Sequence, residues 1–273
     1  MATTVRSLLG SCRLPRLEGR MLLRHVLRVP QVWLMAHDTD TVDAVSAARF
    51  HDLVQQRLAG HPMAYLIGER EFMGHAFRVA PDVLIPRPET ELLVETAVRH
   101  LALLDSPQPC VLDLGTGSGV VAISIALACP QARVVATDVS DRALAVAAEN
   151  AAALGAKVQF FCGSWYEAVL PQSLFDIIVA NPPYVAAHDP HLVQGDLRFE
   201  PMLALTDGAD GLTALTDIAR GAPARLRAGG VLWMEHGWNQ APVVRSLLQG
   251  TGFQRVRSLN DLAGIERITG GSL

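Results

Sequence analysis

The chain is poor in cysteine, in lysine and in charge. Its four cysteines (Cys12, Cys110, Cys129, Cys162) are scattered over 273 residues with no Cys-x-x-Cys pair. That excludes a zinc ribbon or a dense disulfide scaffold and fits a reducing compartment. Charged residues are 18% of the chain and the net charge is −4, so there is no basic excess for gripping nucleic-acid phosphates. Lysine occurs once, at Lys157. The longest apolar stretch near the middle, Val120 to Ala128, is far below the ~20 residues of a membrane-spanning helix. There is no internal repeat and no low-complexity tract.

What is present is apolar residues, 50% of the total, enough for one large domain or a medium and a small one. Residues 1–75 read as helical. Leu17, Met21, Leu22, Leu23, Val26 and Leu27 suit a packed helix, and Thr39 to Gly60 repeats the spacing before a terminating glycine. Six arginines stand within the first 28 residues against one acid, Glu18. A transit peptide could look like this, but the periodicity favours a structured helix with a basic face. No strand-like alternation precedes Phe72. Glu71 to Val79 then reads as a hairpin around Gly74. Pro86 and Pro88 stiffen a connector, after which a helix can begin.

From Cys110 onward strands and helices alternate. Strands are predicted at Cys110–Leu114, Arg133–Asp138, Val158–Phe161, Phe175–Ala180 and Gly230–Glu235, with two strand-like pieces in Phe253–Ile268. Helices are predicted at Gly119–Cys129, Asp141–Leu154, Leu212–Leu226 and Ala241–Gly250. This is an α/β pattern with a mostly parallel sheet covered on both faces. The division expected is a helical domain over 1–75, a hairpin and proline-rich connector over 76–90, and an α/β domain over 91–273.

Two loops carry chemistry. Asp113-Leu-Gly115-Thr116-Gly117-Ser118-Gly119 follows the first strand of the α/β part, where glycines allow close backbone approach to a ligand. The spacing lacks the later glycine of a dinucleotide fingerprint, and no Gly-Lys-Ser/Thr follows. Asp138 ends the second strand, where a carboxylate can accept from a ribose diol. An acid at the start of the loop, Asp113, suits a cationic ligand such as S-adenosylmethionine. A ligand-free turn and a nicotinamide site are the alternatives. The second loop is Asn181-Pro182-Pro183-Tyr184, just after the fourth strand and on the same sheet edge. The prolines remove two backbone donors. That leaves the Asn181 side-chain oxygen and the Pro182 carbonyl as acceptors for a planar –NH2 group, with Tyr184 as a flat face. Two accepted hydrogen bonds would aim the nitrogen's remaining electron density and stabilise the positive charge that grows there during transfer.

The glycine loop resembles the first motif of Rossmann-like S-adenosylmethionine-dependent methyltransferases, and Asn-Pro-Pro-Tyr resembles the motif of those acting on amide or exocyclic amino nitrogens. Pro62–Gly68, Phe72–Phe77, Leu84-Ile-Pro-Arg-Pro-Glu-Thr-Glu91, Gly195–Pro201 and Glu235-His-Gly237 together resemble the release-factor glutamine methyltransferases (the PrmC/HemK family), from about residue 17 to 268. The resemblance implies a small all-α N-terminal domain that recognises the substrate, a β-hairpin connector and a methyltransferase domain. It implies methyl transfer from S-adenosyl-L-methionine, leaving S-adenosyl-L-homocysteine, to the glutamine side-chain nitrogen of the Gly-Gly-Gln motif of release factors.

On the same resemblance Gly115, Thr116, Gly117, Ser118, Gly119, Asp138, Trp165 and Asn181 hold the cofactor. Asn181, Pro182, Pro183 and Tyr184 form the glutamine pocket, with Asn181, Pro182 and Tyr184 as the catalytic set. Gly163-Ser164 stand before Trp165 where the family has an acid. The implied partner is a release factor met as a protein, with no direct nucleic acid, no membrane and no metal, by a cytoplasmic monomer. The alternative from Asn-Pro-Pro-Tyr alone is a DNA or RNA exocyclic-amino methyltransferase; a non-enzymatic adaptor with a degenerate fold is a third reading. Arg87, Glu89 and Glu91 could line the site or only cap and pair. Arg198 and Glu200 read as a salt bridge or a partner contact. His75, His236, Trp233 and Trp238 read as structural.

Overall fold

The computed structural model describes residues 3–273 as two compact units. One comprises the described residues up to Glu69 together with Gln194–Phe199; the other comprises Arg70–Val193 and Glu200–Leu273.

The first unit contains five helices: α1 (Val5–Ser11), α2 (Arg16–Leu27), α3 (Gln31–Ala36), α4 (Ala44–Leu58) and α5 (Met63–Ile67). Thr4 and Ser7 form a reciprocal cap on α1, and the Asp43 carboxylate accepts from Ser46 N–H at the start of α4. Phe50, Leu53 and Val54 of α4 meet Leu22, Leu23 and Val26 of α2 in one apolar cluster, the i, i+3, i+4 stripes that the sequence spacing predicts. The arginine-rich start thus folds as α1 and α2. Arg57 of α4 makes two hydrogen bonds to Glu18, at 2.9 and 3.0 Å, and a third to Asp196.

A hairpin follows, β1 (Glu69–Phe72) and β2 (His75–Arg78). Met73 (φ 50°) and Gly74 (φ 78°) give the two left-handed turn residues that suit a tight hairpin. The strand starts three residues before Phe72, earlier than expected. Its first three residues are exposed and polar, so no apolar alternation announces it. The hairpin therefore begins before the 76–90 connector and only the end of β2 lies within it, and Val79 to Arg87 runs without regular structure before a 3-10 turn at Pro88–Thr90.

The second unit continues with α6 (Glu91–Leu101), β3 (Cys110–Leu114), α7 (Val120–Ala128), β4 (Arg133–Asp138), α8 (Asp141–Leu154), β5 (Val158–Cys162), β6 (Phe175–Ala180), α9 (Met202–Leu205), α10 (Thr213–Gly221), β7 (Leu226–Glu235), α11 (Ala241–Gly250), β8 (Gln254–Asn260) and β9 (Glu266–Ser272). The seven-stranded sheet has the order β5-β4-β3-β6-β7-β9-β8. The first five strands in that order are parallel, while β9 runs antiparallel to both of its neighbours.

Alternate residues of the central strands point to opposite faces, as the two-residue strand period requires. Val111, Ile177, Val179, Val231 and Trp233 pack with α6 and α7. Leu112, Leu114, Ile178, Ala180, Leu232 and Met234 pack with α10 and α11. Helix α7 is apolar all round and buried over most of its length, as a helix enclosed by other elements must be. No helix among the described residues is long and apolar enough to cross a membrane. The chain moves one way along the sheet after β3 and the other way after β6. The carboxyl ends of these adjacent strands therefore form the crevice in which open α/β sheets bind ligands.

Candidate active site

At that crevice lies a cavity of about 490 Å³, walled by the loops after β3, β4 and β6, by the connector before α6, and by the segment around α9 and α10. It falls in the size range of a small-molecule site. The glycine loop forms its base. Gly115 and Thr116 N–H both donate to Thr137 O at 2.9 Å, which ties the loop to the end of β4. Gly119 enters α7 with φ 84°. A Cβ there would stand 2.7 Å from Ile123 and 3.1 Å from Ala147, so close packing of α7 against α8 requires glycine at this point. Asn150 of α8 braces the loop: its Nδ2 donates to Ser118 O and to Arg78 O, and its Oδ1 accepts from Arg78 N–H.

Asp138 Oδ2 accepts from Gly117 N–H and Oδ1 from Ser140 N–H, both at 2.9 Å. Burial raises its pKa against those bonds. Each oxygen keeps a lone pair for a further donor, which suits a ribose diol. Asp113 is fully buried, and burial pushes its pKa up to about 7 although the Thr116 hydroxyl donates to it at 2.6 Å. The Trp165 ring lies against Gly115, where a Cβ would come within 3.2 Å, and gives the cavity a flat apolar wall.

Asp82, Asp113, Asp138, Asp207 and Asp217 line the cavity against one guanidinium, Arg87. That cation is already paired with the buried Glu200 at 2.5 Å, and Glu200 also accepts from Ile85 N–H. Asp82 is paired with Arg142 and Asp113 is held partly neutral by burial, which leaves Asp138, Asp207 and Asp217 as the acids facing a positively charged ligand. A ribose acceptor, an aromatic wall and an acidic lining together fit S-adenosylmethionine.

Beyond β6, Asn181 and Pro183 line the same cavity. Asn181 Nδ2 donates to the hydroxyl of Thr90 at 3.2 Å, which leaves its carbonyl oxygen as the end available to a ligand. Two expectations need correction. Pro182 is buried and is not among the residues that line the cavity. Tyr184 does not present an open face either. Its ring packs against the core on the α10/α11 side of the sheet, and its hydroxyl donates to Glu235 Oε1 at 3.2 Å. Burial and the nearby Glu235 carboxylate raise its pKa. A tyrosine between a sheet and a buried carboxylate satisfies both ends only by turning inward.

The segment 201–217 was not foreseen as part of the site. It docks on the Asn181 loop through Val185 N–H to Leu205 O and Ala187 N–H to Ala209 O. Gln240 joins three loops, its Nε2 donating to Tyr184 O and Gly211 O and its Oε1 accepting from Gly237 N–H. Asp207 is held in its charged form, against burial, by the N–H groups of Ala209, Thr213 and Gly211. The Thr-Asp-Gly run at 206–208 was the available turn signal.

The other candidates separate cleanly. Arg87 reaches the cavity. Glu91 accepts from Met73 N–H at the hairpin tip instead, and Glu89 is not among the lining residues. Arg198 does not pair with Glu200: it donates to Ala59 O and lies over Phe199 within the first unit. His236 is buried, bonded to Thr269 Oγ1 at 2.7 Å, and burial lowers its pKa. Trp233 is core and Trp238 is exposed. No group of acids, histidines and cysteines among the described residues could hold a metal ion.

A sheet reversing between β3 and β6, with a glycine loop and an acidic cavity at its carboxyl edge, defines a Rossmann-like methyltransferase. A methyltransferase from Pyrococcus furiosus shares the fold, with a TM-score of 0.54 over 80% of this chain and 95% of that one at 17% identity. Residues 3–68 match the PrmC N-terminal domain and 89–196 the methyltransferase small domain. The release factor glutamine methyltransferase of Bordetella pertussis (strain Tohama I) is 59% identical over 271 residues, 99% of this chain and all of the relative. That of Burkholderia pseudomallei (strain K96243) is 50% identical over 99% of this chain and 96% of the relative. The chain belongs to the release factor glutamine methyltransferase family.

Proposed function

We propose that this protein moves the methyl group of S-adenosyl-L-methionine to the side-chain amide nitrogen of the glutamine in the Gly-Gly-Gln motif of a release factor, giving S-adenosyl-L-homocysteine. The carrying observation is that Asn181, at a diproline corner, shares one cavity with the glycine loop and Asp138. In this reading Gly115–Gly119 hold the amino-acid part of the cofactor, Asp138 the ribose and Trp165 the adenine. Bound there, the cofactor supplies an electrophilic methyl on a sulfonium.

The protein's part is to position an amide that is a poor nucleophile. The Asn181 side-chain oxygen and the Pro182 carbonyl accept the two amide hydrogens, fix the plane of the group and stabilise the charge growing on nitrogen. Pro183 bounds the pocket and Tyr184 backs the corner from within. A preformed pair of acceptors requires no strong base before transfer, since the proton can leave once the methyl has arrived. The helical domain supplies the contact with the release factor that a single glutamine is too small to provide. The enzyme works on this reading as a cytoplasmic monomer.

The test is transfer of labelled methyl to a release factor and to its Gln→Ala variant in the Gly-Gly-Gln motif. Label confined to the unaltered factor is the expected result. Equal labelling of both refutes the reading, and label in DNA or RNA but not in protein favours an exocyclic-amino substrate.

A further inference from the structure

Arg87 is the one cation among the residues that line the cavity, and its partner alone does not account for it. The Glu200 side chain is wholly buried, at 0% exposure. Its Oε2 accepts from Ile85 N–H at 3.0 Å and its Oε1 from Arg87 Nη2 at 2.5 Å. A buried carboxylate held at both oxygens asks no more of its cation than one bond and one charge. A guanidinium, however, carries five N–H donors in a rigid fork. Here Nη2 is engaged, and no other acceptor meets the fork among the described residues. The side chain is 30% exposed and faces the cavity. The fork is anchored at one nitrogen and open at the rest.

The connector sets this fork beside the acceptor corner. Arg87 O accepts from Thr90 N–H at 3.1 Å, and the Thr90 hydroxyl accepts from Asn181 Nδ2. A glutamine amide is neutral and its –NH2 calls for acceptors, so it gives no reason for a cation here. S-adenosylmethionine does. It carries two positive groups, the sulfonium and the ammonium, and one negative group, the α-carboxylate that ends its amino-acid part. The cavity offers the converse, several carboxylates and a single cation. A planar fork matches a carboxylate in shape as well as in charge.

We infer that Arg87 binds the α-carboxylate of the cofactor, and that Glu200, fixed by Ile85 N–H, is the buried brace that holds the fork in place for it. The inference rests on the proposed use of S-adenosylmethionine and assigns a residue to the one charged end of that ligand for which the glycine loop supplies no cation.

The test is calorimetric titration of the full chain with S-adenosylhomocysteine and with its decarboxylated counterpart, S-adenosyl-3-thiopropylamine. The unaltered protein should bind the first ~10-fold or more tightly than the second, in keeping with a charge-assisted hydrogen bond. Failure to bind either compound refutes the cofactor reading and this inference with it; equal binding of the two overturns the inference alone.

Arg87→Gln keeps a side-chain donor and removes the charge. Its Kd for S-adenosylhomocysteine should rise ~10-fold or more, while that for the decarboxylated compound stays within ~2-fold. An equal loss for both ligands would reduce Arg87 to a structural role and overturn the inference, as would an unchanged Kd for S-adenosylhomocysteine. A KM raised for the release factor alone would give the fork to an acidic group of the protein substrate, which also overturns it. If Arg87→Gln leaves Glu200 an unpaired buried charge and yields no folded protein, Arg87→Gln combined with Glu200→Gln enters the same comparison and is judged by the same outcomes.

Discussion

On the cofactor side of the cavity, the N–H groups of Gly115, Thr116 and Gly117 are fixed by the Thr137 carbonyl and the Asp138 carboxylate, all within about one strand–helix–strand unit. On the acceptor side, Asn181 leans on Thr90, Tyr184 on Glu235, and the Tyr184 carbonyl on Gln240, partners 91, 51 and 56 positions away. The first side is local, its loop held through main-chain N–H and C=O groups. The second is assembled from side chains that meet only when the domain is complete. Local construction suits a cofactor read largely by shape and by a ribose diol. The long-range construction suits a site where the direction of every hydrogen bond decides the chemistry.

The sharpest way to separate the two sides is Asn181→Ala. It should cut turnover by ~10²–10³ while leaving cofactor affinity nearly unchanged, read by steady-state kinetics and calorimetric titration with S-adenosylhomocysteine. A comparable loss of affinity would mean that the sides are not separable.

Next in size is a stability effect from the acceptor side. Burial pushes Glu235 up to about 7 from the ordinary 4.5. The folded state therefore binds a proton between these values that the unfolded state releases. Stability from this group is complete below pH ~4.5 and is lost as pH rises to ~7. Relative to Glu235→Gln, the unaltered protein should lose roughly 3 kcal/mol across that window, read as urea midpoints at pH 4 to 8. Parallel curves for the two proteins would contradict it.

The smallest effect belongs to the cofactor side. Asp138→Asn keeps the shape but exchanges a carboxylate acceptor for a half-donor, and should raise the KM for S-adenosylmethionine ~10-fold with a lesser change in turnover. A change confined to turnover would move Asp138 out of the ribose role.

The same contrast explains what could be read in advance. Cys110–Leu114, Arg133–Asp138, Phe175–Ala180, Asp141–Leu154 and Ala241–Gly250 lie where their patterns placed them, because each is a strong run of apolar residues with a defined start and stop. The glycine loop was legible for the same reason, its role lying in backbone that glycine and spacing reveal. Thr90, Asn150, Gln240 and Asp207 were not: each acts through one polar atom on a partner far along the chain, and periodicity carries no trace of such pairs. Tyr184 was misplaced because a tyrosine in a loop gives no sign of which side holds its hydroxyl partner. The segment Gln194–Phe199, which belongs to the helical unit though it follows β6, was missed on the same account.

The placing of β9 between β7 and β8 dictates an order of assembly. Strand β8 leaves the ribosome before β9, yet the sheet has no berth for it until β9 lies along β7. A chain halted after Asn260 would carry β8 as an unpaired, sticky edge, and the two strands must join the sheet as a single hairpin. Gly270 sharpens the requirement, since a Cβ there would collide with Trp233 at 2.3 Å. The hairpin can therefore close on the sheet only where bare backbone lies against the Trp233 indole, and any side chain at position 270 would keep β9 from seating beside β7.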